Sequence, residues 1–233
     1  CTGTSADYTV TLPSASGNAR KLIGFRMAEE LTRLVTLDAY GGTGTGTSND
    51  RINQVGLRVM WAGEAVILLS DGEDWFKIAG RCRPMACTMR KNTHQDGVAD
   101  STVTKVTIDA ADVDNTGLMA DTSVNRIRIK RAGDYAVAGT IIWSDAPAPA
   151  SLTLAITRGI TIVRKNGADL FANEAYGPLG GLPSPLTLNP GVALAAGDYL
   201  ELFGFQDSGI LCAFYGVSSG DSTRLMVEEV PTW

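Results

Sequence analysis

Apolar residues in this chain recur at every second position, and that period constrains the fold more than any other feature. In "ITIVRKNGADLFANE" two apolar runs meet at Asn166-Gly167. Those residue types tolerate the positive φ that a type I′ hairpin turn requires at both central positions. "GDYLELFGFQ" sets Tyr199, Glu201 and Phe203 against Leu200, Leu202 and Gly204. "YTVTLP" alternates Tyr8, Val10 and Leu12 with threonines, and Ile23, Phe25 and Met27 fall on one face of their run. Val35 and Leu37 do the same, as do Leu57, Val59 and Trp61. "EAVILLSDGEDWFKI" reads as a strand, an Asp71-Gly72 turn and a second strand. Successive side chains of a strand point to opposite faces, so short alternating runs punctuated by turn residues predict an all-β chain. Only "MAEELTRL", in the first half, suggests one or two helical turns.

The alternation fails around "RCRPMACTMRKNTHQDGVADS", which mixes Pro, Gly, Asn and Asp without a period. We therefore expect a first β domain over residues 1–80, a linker over 81–100 and a second domain over 101–233 with about eight strands. Such a number suits a two-sheet sandwich. Prolines fall in "DAPAPAS" and "LPSPLTLNPG", where loops belong. With 44% hydrophobic and 19% charged residues, the 233-residue chain has the balance of a packed globular protein. Its net charge of −5 opposes attraction to a phosphate backbone, so no nucleic-acid partner is expected. No apolar run approaches the ~18–20 residues of a membrane helix, and we expect no membrane insertion. The chain begins at Cys1 without an initiator Met, which suggests a fragment or a processed product.

Several stretches resemble pieces of catalytic or metal-binding motifs. "YGGTGTGTSND", Tyr40 to Asp50, offers Gly42 and Gly44 for a dinucleotide fingerprint, but Thr47 takes the third glycine position and a strand follows. Phosphate binding there needs a strand-to-helix turn, so a flexible loop is the expectation. "GVSSG" places Ser218 as in a hydrolase elbow, yet the single histidine, His94, lies upstream instead of downstream. "DVDNTG" aligns Asp112, Asp114 and Gly117 with a calcium loop, but Ser123 stands where a bidentate Glu is required. We expect an acidic surface turn. Cys82 and Cys87 lie close enough to bridge or to share a metal, but a zinc site needs about four ligands and the only histidine is His94, so free or locally bridged thiols are expected. The row Arg126, Arg128, Lys130 reads as a solvated strand face, with an intersubunit ion-pair row or a contact for an anionic sugar as alternatives. No catalytic residues, metal or cofactor are expected.

The order of "NRIRIKRAGDYAVAGTIIW", "VRKNGADL", "LNPGVALAAGDYLELFGFQ" and "STRLMVEEV" resembles the globular head of complement and tumour-necrosis-factor-like proteins. The shared features are Ala132 to Tyr135 before a strand, the Lys165 to Gly167 hairpin, Leu194 to Asp198, and a terminal strand beginning at Ser222. The chain departs from the family's animal members in having fewer aromatics in its first strands. The resemblance, over roughly residues 101–233, implies a C-terminal jelly-roll β-sandwich assembled as a homotrimer around an apolar axis. It makes Tyr135, Tyr199 and Phe203 candidates for core or axis positions. The first half resembles the repeated β modules of bacteriophage fibres, at Val10 to Gly17, Leu22 to Phe25 and Val66 to Trp75. In such a module Tyr40 to Asp50 is a Gly- and Thr-rich hairpin or crossover tip.

Together the resemblances imply a virion structural protein on the particle surface. Its fibre-type domain would contact other virion proteins, and its head would attach to the host, with a cell-surface glycan as receptor. Specificity then belongs to exposed loops: "SDAPAPAS", "NEAYGPLGGLPSP" with Tyr176, and "FQDSGILCAFYG" with Phe214 and Tyr215. These aromatics either stack on sugar rings or pack inside. The alternatives are a capsid-decorating or tail-fitting protein without receptor, a capsule depolymerase, and a bacterial surface protein of the same fold.

Overall fold

The computed structural model describes residues 8–27, 34–38, 52, 57–81, 83–145, 158–176, 187–218 and 222–230. Every strand and contact below lies among them. The chain divides into two units, Cys1–Arg83 and Pro84–Trp233.

Unit 1 contains β1 (Tyr8–Thr11), β2 (Leu22–Arg26), β3 (Val35–Asp38), β4 (Leu57–Met60), β5 (Ala65–Ser70) and β6 (Trp75–Arg81). They form two three-stranded sheets, β1-β3-β4 and β2-β5-β6. β1 runs parallel to β3, and the other pairs are antiparallel. Alternation decides what each strand contributes to the core: Leu37 from β3, Met60 from β4, Val66 and Leu68 from β5, and Trp75 from β6. The Trp75 indole N–H finds its acceptor in the Pro13 carbonyl, 3.1 Å away, so the largest buried ring leaves no polar atom unpaired. The β5–β6 connection is the expected Asp71-Gly72 turn. Asp71 Oδ1 accepts from the Glu73 and Asp74 amides, each at 2.8 Å, and Gly72 takes φ 106°.

Unit 2 contains β7 (Ala86–Arg90), β8 (Gln95–Val98), β9 (Thr104–Lys105), β10 (Ala110–Asp114), β11 (Ala120–Asp121), β12 (Arg126–Arg128) and β13 (Gly133–Thr140). It continues through β14 (Trp143–Asp145), β15 (Arg158–Lys165), β16 (Ala168–Tyr176), β17 (Thr187–Leu194), β18 (Tyr199–Gln206), β19 (Cys212–Phe214) and β20 (Arg224–Glu229). One sheet has the order β10-β7-β20-β13-β17; the other has β11-β12-β18-β15-β16, with β9 added beside β18. A small sheet, β14-β19-β8, adjoins them. From β12 to β13, β16 to β17, and β17 to β18 the chain changes sheet, which is the winding of a jelly-roll β-sandwich. Every pairing in unit 2 is antiparallel.

The two large sheets meet closely at Gly139 of β13. A Cβ there would lie 3.0 Å from the side chains of both Leu202 and Val163 on the opposite sheet. Ile127, Val137, Val163, Leu202, Leu225 and Val227 fill the interior. The predicted hairpin is present: Asn166 and Gly167 have φ 52° and 84° between β15 and β16.

The stretch 81–100 is not a free linker. It supplies β7, which pairs with both β10 and β20, and β8, which pairs with β19. Its inward positions are Cys87 and Met89, separated by Thr88, a real but faint alternation that Pro and Gly nearby obscure. Residues 101–233 also exceed the expected strand number, because β9, β11, β12, β14 and β19 are only two or three residues long. Tyr40 to Asp50, residues 28–33 of "MAEELTRL", Cys1 and Cys82 lie outside the described residues.

Candidate functional site

β15 and β16 are paired so that Arg158 stands opposite Tyr176, and Gly159 is opposite Gln206 of β18. Tyr176 of β16, Arg158 of β15 and Asp207, the residue after β18, are therefore brought to one end of the sheet. Arg158 Nε donates to Glu174 Oε1, and Arg158 Nη1 lies 3.6 Å from Asp207 Oδ2. The same guanidinium sits 5.6 Å from the centroid of Phe205. The Tyr176 hydroxyl hydrogen bonds with the Glu174 carboxylate, which raises the phenol above its ordinary range. Tyr176 nevertheless remains 71% exposed.

These contacts decide what the cluster can do. Glu174 is held below the usual carboxylate range, first by the Arg158 hydrogen bond and then by that from Tyr176. It stays ionised near neutral pH and serves as a hydrogen-bond acceptor, not as a proton donor; a glycosidase acid needs the opposite shift. An open aromatic ring beside two carboxylates and a guanidinium can stack on the apolar face of a sugar while accepting from its hydroxyls.

The other candidate aromatics are placed differently. Tyr135 is fully buried, its hydroxyl donating to the Arg131 carbonyl at 2.6 Å. Burial, then the nearby Glu229 charge, pushes its phenol above the normal range. It is a core residue. Phe214 is equally buried, with its ring 5.0 Å from that of Trp143. Tyr215 is half-buried against His94, centroids 4.8 Å apart. Tyr199 and Phe203 point out of the sandwich on β18, since Leu200 and Leu202 take the inward positions. Guanidinium groups cover them: Arg126 stands 4.7 Å from Tyr199, and Arg164 4.2 Å from Phe203. Of the six candidates, only Tyr176 offers an uncovered ring.

The motif fragments also resolve. Arg126 and Arg128 both pair with Asp121, at 3.5 and 2.7 Å, so an anionic sugar would have to compete with that carboxylate. Ser123 and Arg128 hydrogen bonds bring Asp121 down to about 2. Asp114 is occupied within its own turn, accepting from the Thr116, Met119 and Ala120 amides and the Thr116 hydroxyl. Asp112 pairs with Arg90 at 2.7 Å. Those oxygens already have donors, which is why "DVDNTG" forms a self-capped turn. The fold brings His94 to Gly216, the first residue of "GVSSG", whose amide donates to Nδ1 at 3.3 Å; Ser219 and Gly220 lie outside the described residues. That hydrogen bond engages Nδ1 with the backbone and not with the Ser218 hydroxyl. Cys87 and Cys212 are buried and are not joined in a disulfide. Residues 146–151 of "SDAPAPAS" and 177–185 of "NEAYGPLGGLPSP" lie outside the described residues.

Sequence reasoning named Tyr176 but missed Arg158, Glu174 and Asp207 as its neighbours. The hairpin turn was only a partial signal: counting outward from Asn166-Gly167 brings Arg158 to Ala175, and the bulge between Val163 and Arg164 moves it on to Tyr176.

No protein-family model matches the chain, and no curated protein matches it. Among solved structures it is similar to the Eiger TNF of S. frugiperda, at 12% identity over 64% of this chain and 94% of that one, with a TM-score of 0.45. It is also similar to murine APRIL, at 14% identity over 64% and 100% of the two chains, with a TM-score of 0.44. The globular domain of zebrafish complement 1qA protein matches at 11% identity over 63% and 93%, with a TM-score of 0.36.

Proposed function

We propose that this chain is a non-enzymatic, homotrimeric surface protein of a bacteriophage or phage-like particle, and that its jelly-roll unit attaches to a glycan on the host cell. The supporting observation is Tyr176, an open ring framed by Glu174, Arg158 and Asp207 at one end of the sandwich. One such site binds a sugar weakly; three on a trimer multiply that affinity through effective concentration. The fibre-like motifs of unit 1 support a role in contacting other virion proteins.

The test combines mass and adhesion. Light scattering of the full chain at the dilute end of a concentration series should give three copies, and the fluorescently labelled protein should decorate host cells. Tyr176→Ala should keep the trimer and lose decoration at least tenfold. Undiminished decoration by this variant would remove the site from the reading. A trimer that decorates no cell but stabilises particles would favour a purely structural, capsid-decorating or tail-fitting protein.

A further inference from the structure

The two faces of sheet β2-β5-β6 differ from the usual pattern of one apolar and one polar side. One face sends Val66, Leu68 and Trp75 into the unit 1 core. The opposite face is also apolar. It presents Leu22 at 60% exposure, Ile78 at 52% and Ile67 at 40%, with the half-buried Leu69 and Phe76 beside them. Cross-strand register puts Leu22, Leu69 and Phe76 in one row, and Gly24, Ile67 and Ala79 in the next. Ile78 is the extra residue of the β6 bulge, between Lys77 opposite Leu68 and Ala79 opposite Ile67. Among the described residues nothing lies within 4 Å of where a Gly24 Cβ would be. A contiguous apolar surface of this kind marks an interface.

The ends of this face carry opposite charge. Arg26, Ala65 and Arg81 form the row at one end, with both arginines exposed. At the other end the β5–β6 turn holds Asp71, Glu73 and Asp74. Arg20 and Lys21 belong to the turn before β2, and the Lys21 ammonium is directed to Asn18 Oδ1 at 3.0 Å. Three carboxylates outnumber these two cations, so a surface that is apolar in the middle, basic at one end and net acidic at the other complements itself when turned end for end.

We propose that this face pairs with the same face of a second copy, about a two-fold axis lying across the strands between the two sheets. That rotation lays Ile67 and Leu69 of each copy against the other's apolar rows. It also sets Arg26 of each copy against the partner's acidic turn, the isologous arrangement expected of a two-fold interface. Three short strands provide an area at the lower end for specific association. Pairing is therefore concentration-dependent, and it tightens when several unit 1 faces are held together in one assembly. The proposal does not depend on glycan recognition or on trimerisation through unit 2.

The experiment is sedimentation and light scattering of the full chain over a concentration series, beside Ile67→Glu, Arg26→Glu, Glu73→Arg and the double reversal. The wild-type mass should rise to at least twice that of Ile67→Glu, while the melting temperatures of the two agree. Each single reversal should lower the associated fraction, and the double reversal should restore it by exchanging the signs. Equal masses for wild type and Ile67→Glu throughout would overturn the pairing and assign the face to a different partner. A double reversal as dissociated as the singles would overturn the proposed register. The mass of Ile67→Glu itself reports separately on the trimer: three copies retain it, and one copy removes it without touching the pairing.

Discussion

Arg131 grips Glu229 through two hydrogen bonds, Nε to Oε1 at 2.9 Å and Nη2 to Oε2, with side chains only 10% and 13% exposed. Glu229 Oε2 also accepts from the Met85 amide at 3.0 Å, and the Tyr135 hydroxyl donates to the Arg131 carbonyl. The pair thus ties the end of β20 to the segment before β7 and to the approach to β13. Removing one member of so enclosed a pair strands the other charge. Arg131→Met should cost about 3–5 kcal/mol and lower the melting temperature by about 10 °C. Arg131→Met with Glu229→Leu should recover most of that loss in the same thermal melt.

Gly204 tests the packing of the small sheet. A Cβ there would lie 2.6 Å from Phe214 Cε1 and 2.9 Å from Ile141 Cδ1, inside a filled core. Gly204→Ala should destabilise by about 1–3 kcal/mol through overpacking. Phe214→Ala should cost about 3–5 kcal/mol by leaving a cavity. Tyr176→Ala should stay within about 0.5 kcal/mol of the parent. Urea unfolding of the three variants separates core from surface, and a Phe214→Ala protein as stable as the parent would contradict the buried placement.

Acid should weaken the sandwich through its paired carboxylates. Asp121 falls from its ordinary 3.8 to about 2 because Ser123 and Arg128 hydrogen bond to its charged form. Its contribution is therefore complete above about pH 4 and is lost as pH falls through about 2. Asp198, lowered first by the Ala195 amide, changes in the same direction. Asp121→Asn should reduce stability at neutral pH by about 1 kcal/mol or less and flatten the acid limb. Melting temperatures between pH 2 and 6 check both effects.

Burial should silence two thiols. Desolvation, with the Asp114 charge behind it, raises the Cys87 thiol well above its usual range, and Cys212 is equally enclosed. Alkylation follows the exposed thiolate. Cys87 and Cys212 should remain unlabelled by iodoacetamide in the native chain and label fully in guanidinium, as read by peptide mass. Native labelling at either position would contradict the packing.

The two-residue period, the type I′ turn at Asn166-Gly167 and the Asp71-Gly72 turn were all legible in the sequence, because each is local chemistry. Backbone pleating sets the first, and positive φ restricts the residue types of the hairpin turn. The strand Ala86–Arg90 was harder to read, since a Cys and a Met carry its inward face beside Pro84. Alternation along "GDYLELFGFQ" divides the residues into two sets, but it does not say which set faces in. Tertiary packing chose Leu200 and Leu202, then covered Tyr199 and Phe203 with arginines from β12 and β15.

The candidate site shows the same division at a single residue. Counted outward from the hairpin turn in regular register, Arg158 pairs with Ala175. A bulge between Val163 and Arg164 slips the strands by one and places Tyr176 opposite Arg158 instead. Because side chains alternate, that one-residue slip decides which face a residue joins. Local sequence therefore determined the strands and their turns. The docking of strands far apart in the chain decided which of their aromatics stayed in water, because burial is settled by whatever packs across a face, and no local period encodes that.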